Sequence, residues 1–214
     1  MIIRIHQTRG GLSPRYDIDG EGLCLQGIRG TLPVQPITLS GKGMTLTGKP
    51  VLPSLLPLLP LAGLLVPGLQ TRVFRLSRNG CDIGRVSRVQ HGPGRVCHVI
   101  ALDGHGELRC YDRRKGRFAY VAVCREERQI ALIENYLADM DGRHDHKLYL
   151  LEEGRQAAEA LAWFTLYFAR FEIEQTGTVS ASISLSPYDR LVDPAWREEH
   201  FPEENFFGRI HPFG

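Results

Sequence analysis

The sequence predicts a mainly β protein, an antiparallel β-barrel of about 12 strands that encloses one hydrophobic C-terminal helix. Two observations lead to this prediction. Short apolar segments recur about every 8–15 residues, and glycine-centred turns separate them, which is typical of an antiparallel sandwich or barrel. Late in the chain, one segment is apolar on every face of a helix, and such a helix must be surrounded by protein or span a membrane.

Four strands are predicted in the N-terminal third, at residues 2–6, 15–18, 22–28 and 37–39. The segment 43–49 (GMTLTGK) matches the G-x-x-x-x-G-K pattern of a phosphate-binding loop. Such a loop also needs a Ser or Thr that binds Mg²⁺ and a helix that presents its N-terminus, but here Pro50 follows. We therefore interpret 43–49 as a hairpin turn.

Seven further strands are predicted in the middle of the chain, at residues 71–77, 81–89, 95–102, 107–111, 118–125, 129–133 and 147–151. Asn79-Gly80 predicts a tight hairpin, because both residues tolerate the positive φ that such a turn needs. A later turn is predicted at 113–116 (RRKG). In 118–125 the side chains alternate, with Ala119, Val121 and Val123 on one face of the strand.

The segment 154–173 predicts the helix, because it has no Gly or Pro after its first residue and is rich in Ala and Leu. Between Ala160 and Ala169 the one polar residue is Thr165, and these ten positions cover every face of a helix. Ten residues are too few to span a bilayer. The sequence therefore predicts a barrel domain at 1–175, threaded by this helix, and a C-terminal extension at 176–214.

Residues 51–69 form a second apolar segment, about long enough to span a bilayer. Four prolines interrupt it, and each would break backbone hydrogen bonds of a helix in lipid. We interpret the segment as a connection that is buried or covered by a partner. The alternative is a loop that dips into a membrane surface or an apolar groove.

Charge and cysteine content limit the functional classes. The 26 basic and 24 acidic residues give a net charge of +2, which argues against a dedicated nucleic-acid binder. Residues 71–128 carry a net charge of +7, and residues 129–214 carry −8. The five cysteines are odd in number and form no C-x-x-C pair, which favours free thiols in a reducing cytosol. We expect a cytoplasmic protein, or one peripheral to a membrane.

The arrangement of two antiparallel halves, an apolar linker and a late all-apolar helix resembles the tubby C-terminal fold. That superfamily includes the phospholipid scramblases and the LURP-one-related proteins. The local likeness lies in residues 74–86 (F-x-x-x-R-x-G-x-x-I-G-x-V), in 129–133 and in 146–151 before the helix. The resemblance covers roughly residues 1–175. It implies a non-catalytic binding module that docks to a protein partner or an anionic phospholipid surface, without a cofactor.

The basic middle of the chain provides the candidate binding residues. Cations on or beside the predicted strands, and in the predicted turn at 113–116, could meet anionic lipid headgroups. These candidates are Arg72, Arg75, Arg85, Arg88, Arg113, Arg114, Lys115 and Arg117. The alternative is that they pair with the acidic last third of the chain or with a partner.

Two other functions remain open at the sequence level. A metal-dependent protein or enzyme would use the loop that contains Asp139, Asp141, His144 and His146, although a calcium loop would need Glu where Leu150 stands. A solvated hairpin turn accounts for the same residues. A structural homo-oligomer would assemble through the C-terminal tail, with Trp196, Phe201, Phe206 and Phe207. Cys97 and His98 are adjacent on a strand, so they face opposite sides and form no catalytic pair. No catalytic residue is predicted.

Overall fold

The strands of this protein form one closed antiparallel barrel. The computed structural model describes residues 1–10, 13–30, 35–51, 73–92, 95–115, 118–136 and 145–170. The strands in these ranges are β1 (Ile2–Arg9), β2 (Arg15–Gly20), β3 (Leu23–Arg29), β4 (Ile37–Gly41), β5 (Met44–Pro50), β6 (Val73–Arg78), β7 (Cys81–Gly92), β8 (Arg95–Leu102), β9 (Gly106–Lys115), β10 (Phe118–Arg125), β11 (Arg128–Tyr136) and β12 (Asp145–Leu150).

Each strand pairs with the strands before and after it in sequence, and β12 pairs with β1. Arg4 lies opposite Lys147 at this closing seam. The ammonium group of Met1 donates a hydrogen bond of 2.9 Å to the carbonyl oxygen of Leu150. Among the described strands, closure leaves no edge without a partner. The predicted class, a mainly β barrel of about 12 strands with one hydrophobic C-terminal helix, is confirmed.

Tight turns connect the strands at one end of the barrel. Asn79 and Gly80 have φ values of 51° and 85°, and Lys42 and Gly43 have φ values of 48° and 75°. These values match two-residue hairpins of type I′, so the predicted turn at Asn79-Gly80 is confirmed. Residues 11–12, 31–34, 52–72, 93–94, 116–117 and 137–144 lie outside the described residues. Of the apolar segment predicted at 51–69, the structure therefore describes Val51 alone.

Two segments that we interpreted as turns are strands. The segment after Gly43 forms β5, in which Leu46 faces the interior and Thr45 faces out. In the predicted turn at 113–116, residues 113–115 continue β9, because Lys115 pairs in register with Phe118 of β10. In both places, pairing with a neighbouring strand outweighs local turn-forming residues.

The helix begins later than predicted. Residues Glu152–Ala157 form a short 3-10 helix, and α1 spans Ala158–Phe168. The amide of Gly154 donates to the carbonyl oxygen of Leu151 at 3.1 Å, which is the tighter 3-10 pattern. A Cβ at Gly154 would lie 2.9 Å from the carbonyl oxygen of Ile130, so this turn packs directly on β11. The predicted helix end at 173 and the domain boundary at 175 lie beyond the described residues.

The helix is enclosed on all sides, as its sequence requires. Every residue from Ala160 to Ala169 is at most 4% exposed. Thr165, the polar residue of this stretch, donates its hydroxyl hydrogen to the carbonyl oxygen of Leu161 at 2.9 Å. In the described part of the chain, no helix is long and apolar enough to cross a bilayer.

Aromatic side chains join the helix to several strands. The Trp163 indole donates a hydrogen bond of 2.9 Å to the carbonyl oxygen of Ile37 on β4. Its ring centroid lies 5.8 Å from that of Phe74 on β6. The rings of Phe164 and Tyr167 lie 5.5 Å and 5.6 Å from His98 on β8. The helix is therefore joined by its aromatic side chains to at least three strands of the barrel, β4, β6 and β8.

Buried polar side chains concentrate at the end of the barrel opposite the tight turns. All but His98, which lies in the middle of β8, are near the end of their strand or helix, and none is more than 4% exposed: Gln7, Arg29, His98, Asn135, His146 and Arg170. One of the Arg170 guanidinium nitrogens, Nη1, donates to the carbonyl oxygen of Gln35 at 3.1 Å. The other half of the interior is mostly apolar, and it contains Leu46, Leu76 and Leu108.

Gly48 allows the Trp163 ring to pack against β5. A Cβ at this position would overlap the indole ring, which cannot move because strands surround it. We expect Gly48→Ala to lower the free energy of unfolding by about 1–3 kcal/mol, as overpacking of a core does. Urea unfolding followed by circular dichroism measures the change. The exposed Thr45→Ala on the same strand is the control, and we expect it to change stability by less than about 0.5 kcal/mol. Equal stability of the two variants would contradict this account of Gly48.

Candidate functional site

Three cations lie side by side on the outer surface of the barrel. Lys49 on β5 is directly opposite Arg75 on β6, and Arg75 is directly opposite Arg85 on β7. All three side chains are exposed. Their neighbours in sequence, such as Phe74 and Val86, are buried and face the helix. We call Lys49, Arg75 and Arg85 the cation row.

Packing does not explain the cation row. Directly opposed side chains on antiparallel strands have Cβ atoms about 5 Å apart, and like charges at this separation repel each other. The Oδ2 atom of Asp82 lies 3.7 Å from the Nη1 atom of Arg75, but both side chains are more than 60% exposed. Such an exposed pair contributes little stability. The cation row therefore combines electrostatic repulsion with exposure to solvent, which suits a surface that binds an anion.

A groove of about 490 Å³ lies beside the cation row. Arg75 and Arg85 line it together with the carboxylates of Asp82 and Asp103. Its remaining lining consists of Val51, Val73, Gly84 and Ala101. The groove thus offers cations, carboxylates and a small apolar surface to one ligand.

Gly84 shapes the groove through its backbone. Its φ of 151° lies outside the range that other residues readily adopt, and the β6–β7 register shifts beside it. A Cβ at Gly84 would overlap the carbonyl oxygen of Ala101 on β8. The bulge therefore lets β7 and β8 approach closely and keeps this part of the groove free of side chains.

The structure brings together two of the eight predicted anion-binding residues, Arg75 and Arg85. Arg88 lies on the inner face of β7, in register with the buried His98, so it is separate from the cation row. Backbone positions 113–115 lie on β9, two strands from β7, and their side chains lie outside the described part. Arg72 and Arg117 also lie outside it.

Sequence reasoning missed Lys49. We interpreted 43–49 as a turn, so no strand was available to place Lys49 beside Arg75. The alternation of Met44, Thr45, Leu46 and Thr47 is the signal that indicates a strand here. With this strand recognised, Lys49 falls on the same outer face as the two threonines.

The metal-site candidates receive no support from the described residues. Asp139, Asp141 and His144 lie outside the described ranges. His146 lies on the inner face of β12, where it is 2% exposed, and its ring centroid lies 6.3 Å from that of Tyr16. Among the described residues, no group of three or more His, Cys, Asp or Glu side chains could hold a metal ion.

The cysteines are free thiols, as predicted. Cys97 and His98 face opposite sides of β8, and the buried outer neighbours of Cys97 are Tyr111 and Cys124. Burial raises the pKa of the Cys97 thiol to about 11, although the nearby Arg109 opposes the shift. Cys97 is therefore protonated near neutral pH, and its 3.4 Å contact with His91 Nε2 is not that of an activated nucleophile.

Comparison with known proteins gives no relative. No family model, no curated protein and no solved structure matches this chain. We therefore infer the function of this protein from the geometry of the cation row and its groove.

The repulsion within the cation row is testable as a stability effect. We expect Lys49→Gln to raise the free energy of unfolding by about 0.2–0.5 kcal/mol at low salt, because it removes one directly opposed like-charge pair. The gain should shrink above about 0.5 M salt, where charges are screened. Urea unfolding at both ionic strengths measures it, with Lys42→Gln in the nearby β4–β5 turn as control. A salt-independent loss of stability in Lys49→Gln would show that Lys49 makes a stabilising contact instead.

Proposed function

We propose that this protein is a non-catalytic binding module that docks on an anionic phospholipid surface through the cation row. The observation that supports this proposal is the direct opposition of Lys49, Arg75 and Arg85 across three paired strands, all exposed. An anion placed over these side chains would neutralise the repulsion between them. Lipid headgroups supply such anions at high density.

The expected affinity is modest. Each cation near an anionic membrane surface contributes about 1 kcal/mol, so three would contribute about 3 kcal/mol. Adjacent strands lie about 4.8 Å apart, so the cation row spans about 10 Å and matches a small number of headgroups. Binding of this size is reversible and depends on salt. It suits a peripheral contact rather than insertion.

The groove adds chemical selectivity to this surface. Arg75 and Arg85 suit a phosphate or carboxylate, and Asp82 and Asp103 suit an ammonium group. A headgroup that carries both signs, as phosphatidylserine does, therefore fits better than a purely anionic one. Val51 and Val73 place apolar surface beside the charged part of such a lipid.

An acidic protein partner is the second candidate, because the same exposed cations would attract its carboxylates. The metal-dependent activity and the tail-mediated homo-oligomer remain predictions from the sequence. A vesicle experiment separates the lipid proposal from the protein partner.

Co-sedimentation with vesicles tests the proposal directly. The intact chain is mixed with neutral phosphatidylcholine vesicles and with vesicles that also contain phosphatidylserine or phosphatidylglycerol, at low and high salt. We expect binding to both anionic vesicles at low salt, stronger with phosphatidylserine, and loss of binding at high salt. Arg75→Gln and Arg85→Gln should each weaken binding about fivefold, which corresponds to about 1 kcal/mol per charge.

Arg15→Gln is the matched control, because Arg15 is exposed on β2, four strands from β6. It removes the same charge from another part of the barrel and should leave binding nearly unchanged. Equal losses in Arg15→Gln and Arg75→Gln would show that net charge, not the cation row, attracts the membrane. Absence of binding to any anionic vesicle would reject the lipid proposal and favour an acidic protein partner.

A further inference from the structure

The outer surface of the barrel has two different halves. On β2 and β3 the outward side chains are polar or exposed, for example Asp17, Gln26 and Ile28, the last being 44% exposed. On β8 to β12 an apolar row crosses the outer surface, with Tyr111, Ala122, Leu132 and Tyr149 in consecutive register and Cys97 beside Tyr111. We call these five residues the outer apolar band.

Four of the five side chains in the outer apolar band are buried although they lie on the outside of the barrel, and Tyr149 is half-buried. Cys97 and Ala122 are 0% exposed, Leu132 is 3% exposed and Tyr111 is 7% exposed. A sheet leaves the face opposite its core open to solvent unless another layer covers it. Beyond the strands themselves, the described elements are the helix inside the barrel and the 3-10 helix, which packs on β11 and β12. These elements do not form a layer over β8, β9 and β10.

We propose that the C-terminal segment 171–214 of this same chain covers the outer apolar band. The segment begins directly after Arg170, which is anchored at the end of the barrel through the carbonyl oxygen of Gln35. Its 44 residues are ample for the distance, because a chain extends up to about 3.3 Å per residue and five strands span about 20 Å. The reach of the segment therefore permits this placement.

Charge and composition favour this occupant. Residues 171–214 contain 8 acidic and 3 basic residues, a net charge of −5, whereas residues 1–170 contain 23 basic and 16 acidic residues, a net charge of +7. The exposed Arg109 and Lys147 lie next to members of the band on β9 and β12. The segment contains seven aromatic residues that can supply apolar surface, among them Trp196, Phe201, Phe206 and Phe207. Acidic residues between aromatic ones suit an apolar band with basic neighbours.

The five cysteines report whether the band is covered. Cys97 belongs to the band and Cys124 packs beside it, and burial raises the pKa of each thiol to about 11. Cys24 and Cys81 are exposed elsewhere, and Cys110 faces the interior of the barrel. If the band is uncovered, Cys97 and Cys124 gain access to reagent and regain an ordinary pKa, while Cys110 remains buried as an internal control for barrel integrity.

The test measures thiol reactivity with Ellman's reagent at pH 8 in the full chain, with mass spectrometry to identify the modified cysteines. In the wild-type protein we expect Cys24 and Cys81 to react fast. We then combine Trp196→Ser, Phe201→Ser, Phe206→Ser and Phe207→Ser in one variant. In this variant we expect Cys97 and Cys124 to react about 100-fold faster than in the wild-type protein, because a fall of about two units in the thiol pKa raises the thiolate fraction by that factor. Ile28→Ser, which removes an exposed apolar group from the other half of the barrel, should leave all five rates unchanged.

Three results would overturn the proposal. Fast reaction of Cys97 and Cys124 in the wild-type chain would show that the band is open. Slow reaction of both in the tail variant would show that another layer covers them. Loss of their protection when the wild-type protein is diluted would show that a second copy provides the cover.

A reciprocal measurement decides the outcome if Cys110 also becomes reactive in the tail variant. Trp163 is 0% exposed, so fluorescence that acrylamide quenches comes from Trp196, the other tryptophan of the chain. We expect quenching in the wild-type protein to be weak and to rise when Leu132→Asp disrupts the band. Quenching in the wild-type protein as strong as in the urea-unfolded chain contradicts the proposal.

Discussion

The exclusion of α1 from water is the constraint on which the rest of the structure depends. Its six large side chains from Leu161 to Phe168 are 0% exposed. Burial of each contributes about 1.5–3 kcal/mol, so together they supply roughly 10 kcal/mol or more, comparable to the whole stability of a typical domain. An eight-stranded barrel has room for its own side chains only, whereas a helix with side chains is about 10 Å wide. Twelve strands provide that width.

The same constraint explains the distribution of polar groups inside the barrel. The last carbonyl groups of a helix lack partners within it, and cations stabilise that end of its dipole. Here the C-terminal end of α1 reaches the half of the interior that contains Arg29 and Arg170. The Arg29 guanidinium also lies over the Tyr16 ring, 5.5 Å from its centroid. Buried cations thus accumulate where the helix ends, and the wide apolar middle of the barrel stays free of charge.

Local patterns predicted the barrel because alternation, glycine-centred turns and an all-apolar helix are properties of neighbouring residues. They did not predict β5, because Gly48 and Pro50 are poor strand residues. The reason for Gly48 is Trp163, which lies far away in sequence but next to it in space. Lys49 was therefore missing from the predicted site residues, because its strand was not predicted. The separation of Arg85 from Arg88 was predictable, because residues three apart on a strand face opposite sides. The register that aligns Lys49, Arg75 and Arg85 was not predictable from the sequence, because it depends on how the three strands pair.

The seam between β1 and β12 sets the order in which this fold can assemble. Ile2 pairs with Tyr149, so β1, at the start of the chain, completes its pairing only with β12, one of the last described elements. We expect closure of this seam to be slow, because the residues that pair across it are so distant in sequence. The helix follows β12 almost immediately, so the strand that closes the barrel is also the one that connects α1 to the wall around it.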